Sequence, residues 1–147
     1  AVSIHTTTMN QKICMMRFNK MAKTNGIYRC EICGNVVSVI EGHQGELVCC
    51  GEPMKLLEEQ TLEKEGKEKH VPVIEVNGNN VTVKVGSIEH PMEEAHHIQL
   101  IQLIKGDKIV MGKRLNPGDK PEVSFCVDDA NDLKARALCN IHGLWKN

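Results

Sequence analysis

Four of the seven cysteines fall within twenty-one residues, as Cys30-x2-Cys33-x15-Cys49-Cys50, and the last two are adjacent. Adjacent cysteines and an odd total suit a disulfide framework badly. The set reads instead as thiolates gathered around a metal in a reducing compartment. A glycine follows each pair, Gly34 and Gly51, so the backbone can turn its amides toward sulfur. Residues 28–35 then form a knuckle, 36–40 a short β-branched strand, 41–45 a turn, and 46–48 the lead into the second pair. A two-hairpin module of this size cannot be held by apolar burial alone, which makes the metal a folding requirement. Zinc and iron both accept four thiolates. Zinc ribbons usually separate both pairs by two residues, so the adjacency of Cys49 and Cys50 favours iron.

The flanks of this module carry less. Residues 1–25 show no period and are expected to be a flexible N-terminal extension, with the functional chain starting near Met21. Residues 1–30 hold Lys12, Arg17, Lys20, Lys23 and Arg29 without an acid, so a basic docking arm is the alternative reading. The net charge of the whole chain is only -1, and no global field recruits nucleic acid or a membrane. No apolar run approaches a membrane span, and residues 13–16 are too short for the apolar core of a secretory leader. A cytoplasmic location is expected.

The metal-binding module is expected over 26–57. Residues 58–66 lie in a stretch dominated by Glu and Lys, expected to be a linker or a solvated helical turn before a second domain over 67–147. Phe18, Tyr28, Phe125 and Trp145 are the only aromatic residues, so the core must be built from Val, Ile and Leu, which favours sheet. Strands are expected over 71–76, 81–85, 98–104, 108–115, 122–127 and 134–139. Asn77-Gly78-Asn79-Asn80, Lys105-Gly106-Asp107 and Asn116-Pro117-Gly118-Asp119 serve as turns. Short strands at such intervals predict an antiparallel sandwich of about seven.

A second metal site follows from Cys139-Asn140-Ile141-His142-Gly143, where a thiolate and an imidazole share one tight turn. Five histidines lie upstream between His43 and His97, and His70, His90 and His96 fall at the edges of expected strands and loops. Pro91 keeps His90 extended, and Pro72 fixes the chain just after His70. Each histidine alone is ordinarily a polar surface residue; together with the Cys-x2-His turn they make four imidazoles and one thiolate. Five donors are one too many for structural zinc. They suit ferrous iron with a sixth position open, its thiolate donating electron density as in thiolate-ligated haem.

Several motifs in order resemble the desulfoferrodoxins, two-iron superoxide reductases, over residues 28–146. They are Tyr28-Arg29-Cys30-Glu31-Ile32-Cys33-Gly34-Asn35 and Glu46-Leu47-Val48-Cys49-Cys50-Gly51-Glu52-Pro53-Met54 in the first part. Glu68-Lys69-His70-Val71-Pro72-Val73-Ile74-Glu75, Gly86-Ser87-Ile88-Glu89-His90-Pro91-Met92-Glu93-Glu94, His96 and Cys139-Asn140-Ile141-His142-Gly143-Leu144-Trp145-Lys146 complete the set. The resemblance implies a mainly β chain: a small desulforedoxin-like, rubredoxin-type module followed by an immunoglobulin-like antiparallel β-sandwich. It implies two iron ions, one held by Cys30, Cys33, Cys49 and Cys50. The other takes His70, His90, His96 and His142 equatorially and Cys139 axially. By the same resemblance Lys69 attracts superoxide and supports protonation of the product, while Glu68 closes over the sixth position of ferric iron. Superoxide, a rubredoxin-like electron donor and a second copy of the chain are the implied partners.

Two departures from the family pattern stand out. His97 follows His96, and consecutive strand residues face opposite ways, so one of them points at the metal; the motif selects His96. His97 and His43 are taken as non-ligands, Cys14 as a loose thiol and Cys126 as a core residue. The N-terminal extension has no counterpart in the pattern. An electron carrier that only shuttles charge and a zinc-stabilised binding module are the competing functions.

Overall fold

The computed structural model describes residues 20–64, 66 and 69–147, and the chain divides into two compact units between Leu57 and Glu58. Among the described residues there is no α-helix, and no helix is long and apolar enough to cross a membrane.

The first unit carries β1 (Ile27–Arg29), β2 (Val36–Ser38), β3 (Val48–Cys49), β4 (Glu52–Pro53) and β5 (Lys55–Leu56). β1 is the centre of a three-stranded antiparallel sheet between β2 and β5, and β3 pairs with β4 as a separate hairpin. The buried apolar side chains described here are Ile27, Tyr28 and Cys30. So small an apolar core cannot hold a module of this size by itself. A cross-link through the cysteines is needed. Residues 20–25 differ from expectation. Met21 bridges Gln44, the Ala22 amide donates to the His43 carbonyl at 3.1 Å, and Gly42 N–H donates to Thr24 Oγ1 at 2.8 Å. They belong to the bonding of the module; residues 1–19, with Cys14 and the rest of the expected extension, lie outside the described residues.

The second unit opens with β6 (Glu59–Gln60) and a single 3-10 turn (Leu62–Lys64), followed by β7 (Pro72–Asn77), β8 (Asn80–Val85), β9 (Ile98–Lys105), β10 (Lys108–Arg114), β11 (Glu122–Cys126), β12 (Leu133–Cys139) and β13 (Gly143–Lys146). They form a five-stranded sheet in the order β10-β9-β12-β13-β6 and a three-stranded sheet in the order β11-β8-β7. The core lies between the sheets. Val81, Val83 and Val85 of β8 alternate inward, at 0%, 0% and 1% exposure, and pack with Val123 and Phe125 of β11. Ile98, Ile101 and Leu103 of β9 and Ala135, Ala137 and Cys139 of β12 supply the opposite wall. The expected β-sandwich is what forms.

Two strands lie outside the expected set. β13 pairs antiparallel with β12, and β6 pairs parallel with β13, so the stretch expected as a linker contributes an edge strand. Arg136, 3% exposed, ties that edge down through Glu59 Oε1 at 3.1 Å and Gln102 Oε1 at 2.7 Å. Cys126 also departs from its expected core position and is exposed. Val123 and Phe125 already take the inward positions of β11, so period two sends Ser124 and Cys126 outward.

Candidate metal centres

The four thiols of the first unit lie with their sulfur atoms within 4.8 Å of one another. Cys33 Sγ is 3.5 Å from Cys49 Sγ, which is 4.0 Å from Cys50 Sγ. The turn joining β3 to β4 explains how adjacent cysteines can both face the cluster. Cys49 pairs with Glu52, leaving Cys50 and Gly51 as a two-residue turn with φ of 52° and 76°. Two left-handed residues make a type I′ hairpin turn. Holding Cys50 there costs about 1–3 kcal/mol, a cost tolerated where a metal fixes the result.

The cluster is electrostatically uneven. The backbone amides of Cys33 and then Ile32 pull the Cys30 thiol down to about 6. Hydrogen bonding to Cys33 first, and to Cys49 next, pushes Cys50 up to about 12. A depressed thiol stabilises the folded chain above its ordinary value of 9.0, and that contribution disappears as pH falls to about 6. The metal-free chain should therefore show a first rise in ultraviolet thiolate absorbance near pH 6 that Cys30→Ser removes. A first rise near 9 in the parent chain would show that the amide cage needs the metal to form. Metal uptake displaces the remaining thiol protons, so affinity at this centre falls with acid.

In the second unit His70, His90, His96, Cys139 and His142 bring five donor atoms within 4.8 Å of one another. The rings form a square. Centroids are 4.7 Å apart for His70–His90 and His90–His96, and 4.9 Å for His96–His142 and His142–His70, with 6.4 Å across the His70–His96 diagonal. His70 Nε2 is 3.1 Å from His142 Nδ1. Two nitrogens bound at right angles to an ion about 2.1 Å away would stand about 3 Å apart, so the spacing fits a shared ion. The ring of His90 is oriented by its neighbour: Nδ1 lies 2.7 Å from the Pro91 carbonyl, so that nitrogen carries the proton and Nε2 is the donor atom. Cys139 is fully buried, His70 and His90 nearly so, His96 half-buried and His142 exposed. The thiolate end is sealed in the core and the His142 side faces solvent.

Each donor is delivered by a recognisable local device. Cys139 and Gly143 are paired across the β12–β13 hairpin, leaving the three-residue loop 140–142, and Gly143 takes φ 84°. That is the left-handed residue a three-residue hairpin loop requires. The loop brings the His142 amide to 3.4 Å from Cys139 Sγ, a donor aimed at the thiolate. His90 N–H donates to the Val85 carbonyl at 2.9 Å, folding its loop back on the end of β8. Gly86 lies under the His70 segment so closely that a Cβ there would sit 2.4 Å from the Lys69 carbonyl oxygen. Trp145 stacks on His70 at 4.7 Å and 16°, and its Nε1 donates to the His142 carbonyl at 3.1 Å. Gln60 Nε2 donates to the same carbonyl at 2.7 Å.

Every ligand expected from sequence thus falls in one of the two groups. Lys69 is half-buried beside His70, and Glu68 lies outside the described residues. His43 pairs with Glu41 at 3.3 Å, and His97 stays outside the five-donor group. Gln60, Trp145 and Asn140 support the centre without having been expected to from sequence. Trp145 had a signal, a lone tryptophan three residues after a ligand in an aromatic-poor chain; Gln60 had none.

Comparisons with known proteins agree with both halves. The Desulfoferrodoxin family model matches residues 62–147, and that of the Desulfoferrodoxin N-terminal domain matches residues 22–57. A desulfoferrodoxin homolog of Methanothermobacter thermautotrophicus is 54% identical over 125 residues, spanning 85% of this chain and 99% of the relative. Desulfoferrodoxin of Nitratidesulfovibrio vulgaris is 52% identical over 120 residues, 82% of this chain and 93% of its own. The crystal structure of the superoxide reductase from Treponema pallidum superposes with a TM-score of 0.65 at 29% identity, covering 83% of this chain and 96% of that one. With both family models matched in order along one chain that carries both donor groups, this protein belongs to the desulfoferrodoxin family.

Proposed function

We propose that the chain is a superoxide reductase with two iron centres, one in the four-cysteine group and the catalytic one in the group of four histidines and Cys139. The observation that carries this is the square of imidazoles joined to a buried thiolate and open to solvent on one side. Ferrous iron held there supplies the one electron that, with two protons, takes superoxide to hydrogen peroxide.

The residues divide the work. Cys139 would hold the iron through its thiolate, whose charge the His142 amide moderates. His70, His90, His96 and His142 would hold it through one ring nitrogen each. Lys69, adjacent to His70, draws the substrate anion toward the open face and supports proton delivery to the product. Glu68 would supply the carboxylate that covers the open face when oxidised iron is held there. The four-cysteine module over 26–57 and the catalytic module over 67–147 act in one chain. A rubredoxin-like donor resupplies the electron, and the working form is a homodimer in the cytoplasm.

The deciding experiment is iron stoichiometry followed by mixing the reduced protein with superoxide. Two irons per chain and rapid oxidation of the second centre, with hydrogen peroxide formed and no dioxygen released, are expected. Dioxygen release would mean dismutation, and a second centre inert to superoxide would leave an electron carrier. Lys69→Ala should slow this reaction by about tenfold at low salt and flatten its ionic-strength dependence. An unchanged rate at low salt would remove Lys69 as the steering charge.

A further inference from the structure

His96 and His97 are adjacent, both half-buried and chemically alike, yet only His96 joins the five donors. β9 begins at Ile98, one residue later, so neither histidine lies within that strand. The backbone around His97 is bonded instead to one residue of the opposite loop. Asn140 Oδ1 accepts the His97 N–H at 2.9 Å, and the Asn140 N–H donates to the His97 carbonyl at 3.1 Å. Asn140 Nδ2 donates to the Ala95 carbonyl at 3.0 Å. On the other side Glu93 and His96 exchange backbone hydrogen bonds of 2.9 and 3.1 Å, closing a four-residue turn. His97 Nδ1 is buried with no hydrogen-bond partner among the described residues, so a second imidazole stands in the same arm.

We propose that Asn140 is the positioning residue that sets the register of this arm, selecting His96 over His97 as the ligand and locking it to the Cys139 turn. The inference rests on the ligand set of the proposed function. A carboxamide suits the task because it accepts one backbone N–H and donates to one backbone carbonyl at the same time. A carboxylate lacks the donor, and it would place a second anion beside the Cys139 thiolate. Since Asn140 directly follows Cys139, one residue ties two ligand-bearing loops together.

Cobalt(II) binding to the purified full-length chain tests this, with thiolate-to-cobalt absorption reporting the second centre and native mass spectrometry counting the ions. In the parent, His96→Ala should weaken the second centre by at least about a hundredfold, beyond the 10–100-fold typical of outer-shell supports, while His97→Ala leaves it near the parent value. Asn140→Ala should itself cost about tenfold, and in that background the two alanine effects should converge. A residue that merely stabilised the fold would weaken both backgrounds alike and preserve the gap, so a preserved gap overturns the proposal. Should Asn140→Ala not fold, Asn140→Leu fills the same space without either side-chain hydrogen bond, and the same comparison decides. If His96→Ala leaves parent affinity intact, the ligand set itself falls and this inference with it, which distinguishes the two failures.

Discussion

Cys139→Ser is expected to leave the four-cysteine centre intact and to reduce oxidation of the second centre by superoxide by at least about a hundredfold, since loss of a ligand should exceed the 10–100-fold typical of its outer-shell supports. The sulfur is the only soft, anionic donor among the five, and it lies in the core with no exposed surface. An alkoxide cannot replace it, because a serine hydroxyl stays protonated near neutral pH and donates far less electron density to iron. The absorption of the iron–thiolate bond at the second centre should vanish while that of the tetrathiolate iron remains, which separates ligand loss from unfolding. The substitution also buries a hydroxyl in the apolar core cluster, at a cost of about 1–3 kcal/mol if it finds no partner. Thermal unfolding of the metal-free forms measures that part independently. Normal turnover in the variant would reject Cys139 as the thiolate ligand.

Trp145→Ala is expected to have the largest effect on stability, about 3–5 kcal/mol for a buried aromatic truncated to alanine. Trp145 is 4% exposed, stacks on His70 and holds the His142 carbonyl, so its loss opens a cavity beneath two ligands at once. Denaturant unfolding should show the destabilisation, and the second centre should lose metal at a lower chelator concentration. Trp145→Phe keeps most of the stack and gives up the Nε1 hydrogen bond, so about 1 kcal/mol should be lost. Equal losses for the two variants would place the importance of Trp145 in that hydrogen bond rather than in the packing.

The parts of this protein legible in the sequence were those encoded over a few neighbouring residues. Gly78 and Gly106 stand in the two-residue turns of the β7–β8 and β9–β10 hairpins, where Asn77 pairs with Asn80 and Lys105 with Lys108. Val81, Val83 and Val85 declare an inward face by alternation alone. The short strands β6 and β13 carried no such signature. Two residues are too few for a period, and β6 exists because its backbone meets β13 from more than eighty positions away. Cys126 was misplaced for a related reason: cysteine is apolar enough for a core, but the pleat, not its chemistry, decides which face it takes.

The donor chemistry, and the turns that carry it, are written in short local stretches of the chain. Cys30-x2-Cys33, Cys49-Cys50 and Cys139-x2-His142-Gly143 each place ligands within one local turn, where spacing and backbone preference suffice. The closing of the four imidazoles into a square comes from long-range folding, with His70 Nε2 and His142 Nδ1 at 3.1 Å across seventy-two positions of chain. The same folding also brought His96 and not its neighbour into the donor group, where Asn140 accepts from the His97 N–H and donates to the carbonyl of Ala95, forty-five positions away. The physical reason is that a ligand set is a condition on where side chains point, and outside regular strands that direction is fixed by long-range hydrogen bonds and packing that no local pattern encodes.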